Sequence, residues 1–105
     1  MPDKQNNEKV NKILEEIIKV IVEHLNPEKV ILFGSRAEGS FHRGSDIDIA
    51  ILGGKKLSFR EERKLKEIID EVAGIYSVDI LFMERLESDF AKRILETGKV
   101  VYENK

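Results

Sequence analysis

Two apolar runs lie close together in this chain, and the residues between them limit how it can fold. The first, Val30-Ile31-Leu32-Phe33, is unbroken and closes on Gly34-Ser35, and ten residues later Asp46-Ile47-Asp48-Ile49-Ala50-Ile51-Leu52 begins. An unbroken short apolar run bounded by Pro27 and Gly34 suits a strand buried on both faces. The second run alternates, so Asp46, Asp48 and Ala50 share one face of a strand and Ile47, Ile49 and Ile51 the other. Carboxylates within such a strand are costly unless paired or bound to a cation.

Helices and a third strand surround these runs. Val10, Ile13, Leu14, Ile17, Ile18, Ile21 and Leu25 follow helical spacing until Asn26-Pro27. Residues 35–45 hold Gly39, Ser40, Gly44 and Ser45, a turn-rich composition. Ser58 with Glu61 is a capping-box signature, followed by the stripe Leu65, Ile68, Ile69 and Val72 and by Gly74 as terminator. Ser77–Phe82 predicts a third strand with Asp79 and Leu81 on one face. Ser88 is the expected cap of a last helix through Phe90, Ile94 and Leu95, with Gly98 ending it and Val100-Val101-Tyr102 adding a short strand. The expected fold is α/β of the α+β kind, one domain over residues 1–105 with a mixed sheet of three to four strands flanked by helices.

Composition narrows the chemistry. The 18 basic and 20 acidic residues nearly cancel to -2, without the basic excess of a dedicated nucleic-acid binder, so direct nucleic-acid binding is not expected. No cysteine is present, so disulfides and thiolate metal sites are excluded and a metal would be held by oxygen or by the two histidines, which favours Mg2+. No apolar run reaches the roughly 18 residues of a membrane span, and the expectation is a cytoplasmic protein.

The carboxylates and the glycine turn fit one reaction class. If the strand carrying Asp79 pairs beside that of Asp46 and Asp48, three carboxylates can hold two Mg2+ ions about 3.5 to 4 Å apart for in-line phosphoryl chemistry. Gly34 lets the backbone approach a phosphate, Ser35 offers an N–H and a hydroxyl at a helix start, and Arg36 can add a charged contact. His42, in the loop, is read as solvated, and His24 as a helix-end dipole contact. Lys55, Lys56, Arg60, Arg63 and Lys64 are read as a solvated helix face, and Phe59, Tyr76, Phe90 and Tyr102 as core or rim.

With Gly34-Ser35, ten residues, then Asp46-Ile47-Asp48, and a third strand bearing Asp79, the sequence resembles the minimal nucleotidyltransferases of the polymerase-beta-like superfamily over nearly its whole length. The resemblance implies a nucleotidyltransferase fold, Asp46 and Asp48 on both metal ions, Asp79 on the acceptor-activating ion, and Gly34, Ser35 and Arg36 on the triphosphate of ATP. Glu38 stands where many members carry a basic residue, so a second cationic phosphate contact does not carry over there. The smallest members look like antitoxins of HEPN-type helical toxins that place AMP on a toxin tyrosine. Such a toxin is the expected partner, in a homo- or hetero-oligomer, because a chain of 105 residues leaves little room for an acceptor domain. The alternatives are a non-catalytic subunit that neutralises its partner by occlusion, and a transferase acting on a small aminoglycoside-like molecule.

Overall fold

The computed structural model describes residues 2–34 and 47–104. Along the chain come helix α1 (Pro2–Leu25), strands β1 (Lys29–Phe33) and β2 (Ile47–Leu52), helix α2 (Phe59–Ala73), strand β3 (Val78–Phe82), a 3-10 turn (Met83–Arg85), helix α3 (Ser88–Thr97) and strand β4 (Lys99–Glu103). The expected order holds, and the optional last strand is present. The sheet order is β3-β2-β1-β4, with β1 antiparallel to both β2 and β4, and β2 parallel to β3. A parallel pair needs a crossover, and α2 is that crossover.

Each sheet face has its own core. Ile17, Ile21 and Leu25 of α1 and Leu65, Ile69 and Ala73 of α2 pack on Val30, Leu32, Ile47, Ile49, Ile51 and Ile80. On the other face Ile31 and Ala50 meet Met83 and Ile94, with Phe33, Leu52, Leu86 and Ala91 around them. The alternation in β2 is thereby resolved: its three isoleucines lie under α1 and α2, and Ala50 lies under α3. β1 is covered on both faces, as its unbroken apolar run requires.

Local signals end most elements as expected. Asn26, at φ 47, and Pro27 stop α1, and the Nδ1 of His24 lies 2.8 Å from the Val20 carbonyl. The capping box closes in both directions, Glu61 N–H donating to Ser58 Oγ at 3.2 Å and Ser58 N–H to Glu61 Oε1 at 3.1 Å. The Ser58 backbone N–H, and after it the Ser58 side chain, hold the Glu61 carboxyl below its ordinary pKa. Gly74, at φ 64, closes α2 with its N–H donating to the Asp70 carbonyl.

Two expectations fail. The cap of α3 is Glu87 rather than Ser88, because the first helical bond runs from Ala91 N–H to the Glu87 carbonyl, which leaves Ser88 inside the first turn. Phe59 is 88% exposed, not core or rim, since it stands ahead of the buried stripe that begins at Glu62. Tyr76 and Tyr102 do pack against the main core.

Glu62 itself is a feature the sequence hides. It is buried on the inner stripe of α2 and accepts two bonds from Arg85, at 2.8 and 2.9 Å, while the Arg85 guanidinium lies 4.6 Å from the centre of the Phe82 ring. The paired bonds tie the start of α2 to the 3-10 turn that follows β3. They hold the Glu62 carboxyl below its ordinary value, the Arg85 hydrogen bonds outweighing desolvation. A carboxylate whose folded pKa is depressed stabilises the fold above its unfolded pKa, and that contribution disappears as pH falls through the folded value. Glu62→Gln is therefore expected to lower the melting temperature by a few degrees at pH 7. The gap to the unaltered protein should narrow below about pH 4 in thermal melts across a pH series.

Candidate active site

Register brings the carboxylates together. Asp48 lies opposite Phe33 of β1 on one side and opposite Asp79 of β3 on the other. Residues paired in register point to the same face, so Asp48 and Asp79 project side by side at a strand spacing of about 4.8 Å. Asp48 is half-buried and Asp79 is exposed. Asp79 bears no burial cost, because β3 is an edge strand and its carboxylate reaches water. What distinguishes Asp79 is its register.

Gly34 follows Phe33 with φ 78, a conformation that side chains with a Cβ rarely adopt. A Cβ at this position would also lie 2.6 Å from Asp48 Oδ2. The turn thus passes close to the carboxylate, and only glycine leaves that carboxylate where it is. Phe33 lines the site from below, its ring meeting Phe90 of α3 edge-on at 6.4 Å and 83°.

A cleft of about 430 Å³ opens beside these groups. Phe33, Asp48, Asp79 and Leu81 line it from the sheet, and Lys66 and Asp70 from α2. Sequence reading passed over Lys66 and Asp70. The available signal was positional: each follows a residue of the buried stripe, Leu65 and Ile69, and they stand four apart on one flank of the helix.

Like charges directly opposite each other in a sheet repel, and a divalent cation between them converts that repulsion into attraction. The donor set, two carboxylates beside a glycine turn, fits Mg2+ and a phosphate. Among the described residues no three His, Asp or Glu side chains stand close enough together to hold one metal ion. Asp46, Ser35 and Arg36, the other site residues expected from the sequence, lie outside the described residues, as do Glu38 and His42.

Residues 15–105 match the family described as polymerase beta, nucleotidyltransferase. This chain belongs to that family. Among relatives of this nucleotidyltransferase, a Haemophilus influenzae protein named a probable protein adenylyltransferase, MntA, is 33% identical over 88 residues, covering 83% of this chain and 77% of its own. A chain in a solved toxin-antitoxin structure with AMP-PNP is 26% identical with a TM-score of 0.71, over 87% of this chain and 73% of that one. The same fold, at 22% identity and a TM-score of 0.66, occurs in a complex of a tri-AMPylated Shewanella oneidensis HEPN toxin with an MNT antitoxin, over 90% of this chain and 72% of that one. The fold expectation is borne out, and the chain is an enzyme of the nucleotidyltransferase class.

Two glycines separate backbone strain from site disruption in this transferase. Gly34 and Gly74 both have positive φ, but nothing lies within 4 Å of a Cβ built on Gly74. Gly34→Ala and Gly74→Ala are each expected to cost about 1–3 kcal/mol of stability in denaturant melts, the cost of a positive-φ backbone in a residue with a side chain. Only Gly34→Ala, which displaces the Asp48 carboxylate, should cut nucleotidyl transfer tenfold or more.

Proposed function

We propose that this nucleotidyltransferase moves AMP from ATP onto a hydroxyl of a partner protein, a tyrosine of a HEPN-type toxin, and thereby acts as its antitoxin. The observation that carries the proposal is the pairing of Asp48 with Asp79 in parallel register beside the Gly34 turn. Support for the protein acceptor comes from the relative named a probable protein adenylyltransferase, and support for nucleotide from the similar toxin-antitoxin structure with AMP-PNP.

In this reading Asp48 and Asp79, with Asp46, would hold Mg2+. The metal, when bound, supplies charge neutralisation for the leaving pyrophosphate and lowers the pKa of the acceptor hydroxyl. Gly34 brings backbone close to the triphosphate, and Ser35 and Arg36 complete the phosphate contacts. The carboxylates hold the acceptor oxygen in line with the α-phosphorus. An oxygen–phosphorus bond then forms to the acceptor, the bond between the α-phosphorus and the bridging oxygen breaks, pyrophosphate departs and the hydroxyl proton passes to water. No residue of this chain becomes covalently modified.

Incubation with α-labelled ATP, Mg2+ and the cognate toxin should label the toxin. Asp48→Ala should lower that labelling by more than the roughly 10–100-fold typical of changes around a metal site's outer shell, with the melting temperature retained. An unlabelled toxin would contradict the proposal. Undiminished protection of cells by Asp48→Ala would favour neutralisation by occlusion.

A further inference from the structure

The two edges of the sheet are built differently. At β4 the register with β1 shifts between Val30 and Ile31, and Lys99 and Glu103 stand exposed at its ends. Irregular pairing and charge are ways of blunting an edge. β3 has neither a proline nor a register shift, its one charge is Asp79 at the cleft, and among the described residues no strand pairs with its outer side.

Its backbone polarity follows from one hydrogen bond. Ile47 N–H donates to the Ser77 carbonyl at 2.8 Å, and Ile47 lies opposite Val78. In a parallel ladder, residues alternate between facing the neighbouring strand and facing away. Ser77, Asp79 and Leu81 therefore turn their backbone groups to β2, and Val78 and Ile80 turn theirs to the open edge. The cleft that holds Asp48 and Asp79 runs along this edge, with Val78 to Leu81 on one side and Lys66 and Asp70 of α2 on the other. Ile75, 93% exposed, stands just ahead of β3.

We infer that the outer edge of β3 receives the acceptor protein as an added strand, an extended segment paired on Val78 and Ile80 whose hydroxyl-bearing residue lies opposite Asp79. The inference rests on the protein-adenylylation reading and deepens it. A strand added there lies about 4.8 Å from β3, and its side chains alternate between the two faces. The residue opposite Asp79 then shares the face of Asp48 and Asp79, while its two neighbours turn to the side of α2, where Lys66 and Asp70 stand. Acceptor choice is thus made first by backbone pairing and only then by side chain. A second copy of the chain fits this edge poorly. Pairing β3 with its own copy would crowd two acidic sites along one edge and close the cleft to any acceptor.

Hydrogen exchange followed by NMR on the full chain, with and without the cognate HEPN toxin, tests the docking, and α-labelled ATP in parallel samples tests the transfer. The expected result is at least tenfold slower exchange of the Val78 and Ile80 amides with toxin, little change at Leu81, whose amide already faces β2, and labelled toxin. Labelled toxin with unchanged exchange at Val78 and Ile80 overturns the docking and leaves adenylylation standing. Protection without label keeps the docking edge and overturns adenylylation, and neither signal overturns both. Val78→Pro removes one outward N–H at the first position of a strand, where proline is tolerated. It should raise the KM for toxin at least tenfold, and a folded variant with unchanged KM overturns the inference. If that variant does not fold, the exchange measurement decides alone.

Discussion

The parallel pairing of β2 with β3 fixes where two negative charges stand, and the hydrophobic core fixes the pairing. Ile47, Ile49, Ile51 and Ile80 all lie on the face covered by α1 and α2. A slip of one residue in β3 would carry Ile80 to the other face and put Asp79 under the helices. Burying an isoleucine is worth about 1.5–3 kcal/mol, whereas cross-strand pair interactions are worth about 0.2–1 kcal/mol. The core therefore overrides the repulsion between Asp48 and Asp79 and holds them side by side. The acidic pair is a consequence of packing on the opposite face of the same strands.

α2 links that core to the site. As the crossover it sets β3 parallel to β2, its inner stripe buries Leu65, Ile69 and Ala73, and the next residues along, Lys66 and Asp70, wall the cleft. The Glu62–Arg85 pair anchors the first turn of this helix to the 3-10 turn that follows β3. Gly34 completes the arrangement from β1, where left-handed backbone and absent side chain leave room for the Asp48 carboxylate.

Much of this was legible in the sequence because it depends on local periodicity. The alternation of Asp48 and Ala50 with three isoleucines gave the strand and its two faces, and Ser58-x-x-Glu61 gave the start of α2. Gly34 after an apolar run gave the turn. Pairing order was not legible, and the misses follow from it. The exposure of Asp79 was not legible because nothing local says that β3 lies at an edge. Glu62 carried no local signal because its partner, Arg85, is brought to it only by the fold. Lys66 and Asp70 gained their place only once α2 was laid along β3. The cap of α3 missed by one residue, since the first carbonyl to accept a helical bond, and not the best capping side chain, decides where a helix begins.

In the proposed reaction Asp48 and Asp79 act together on a metal-bound nucleotide. Paramagnetic broadening by Mn2+ in the presence of a non-hydrolysable ATP analogue, read from backbone amide signals, measures this directly. The amides of Gly34, Asp48 and Asp79 should broaden first, while those of Tyr102 and Glu103, paired with the far end of β1, stay sharp. Broadening centred elsewhere on the sheet, or the same pattern in Asp48→Asn with Asp79→Asn, would contradict the claim.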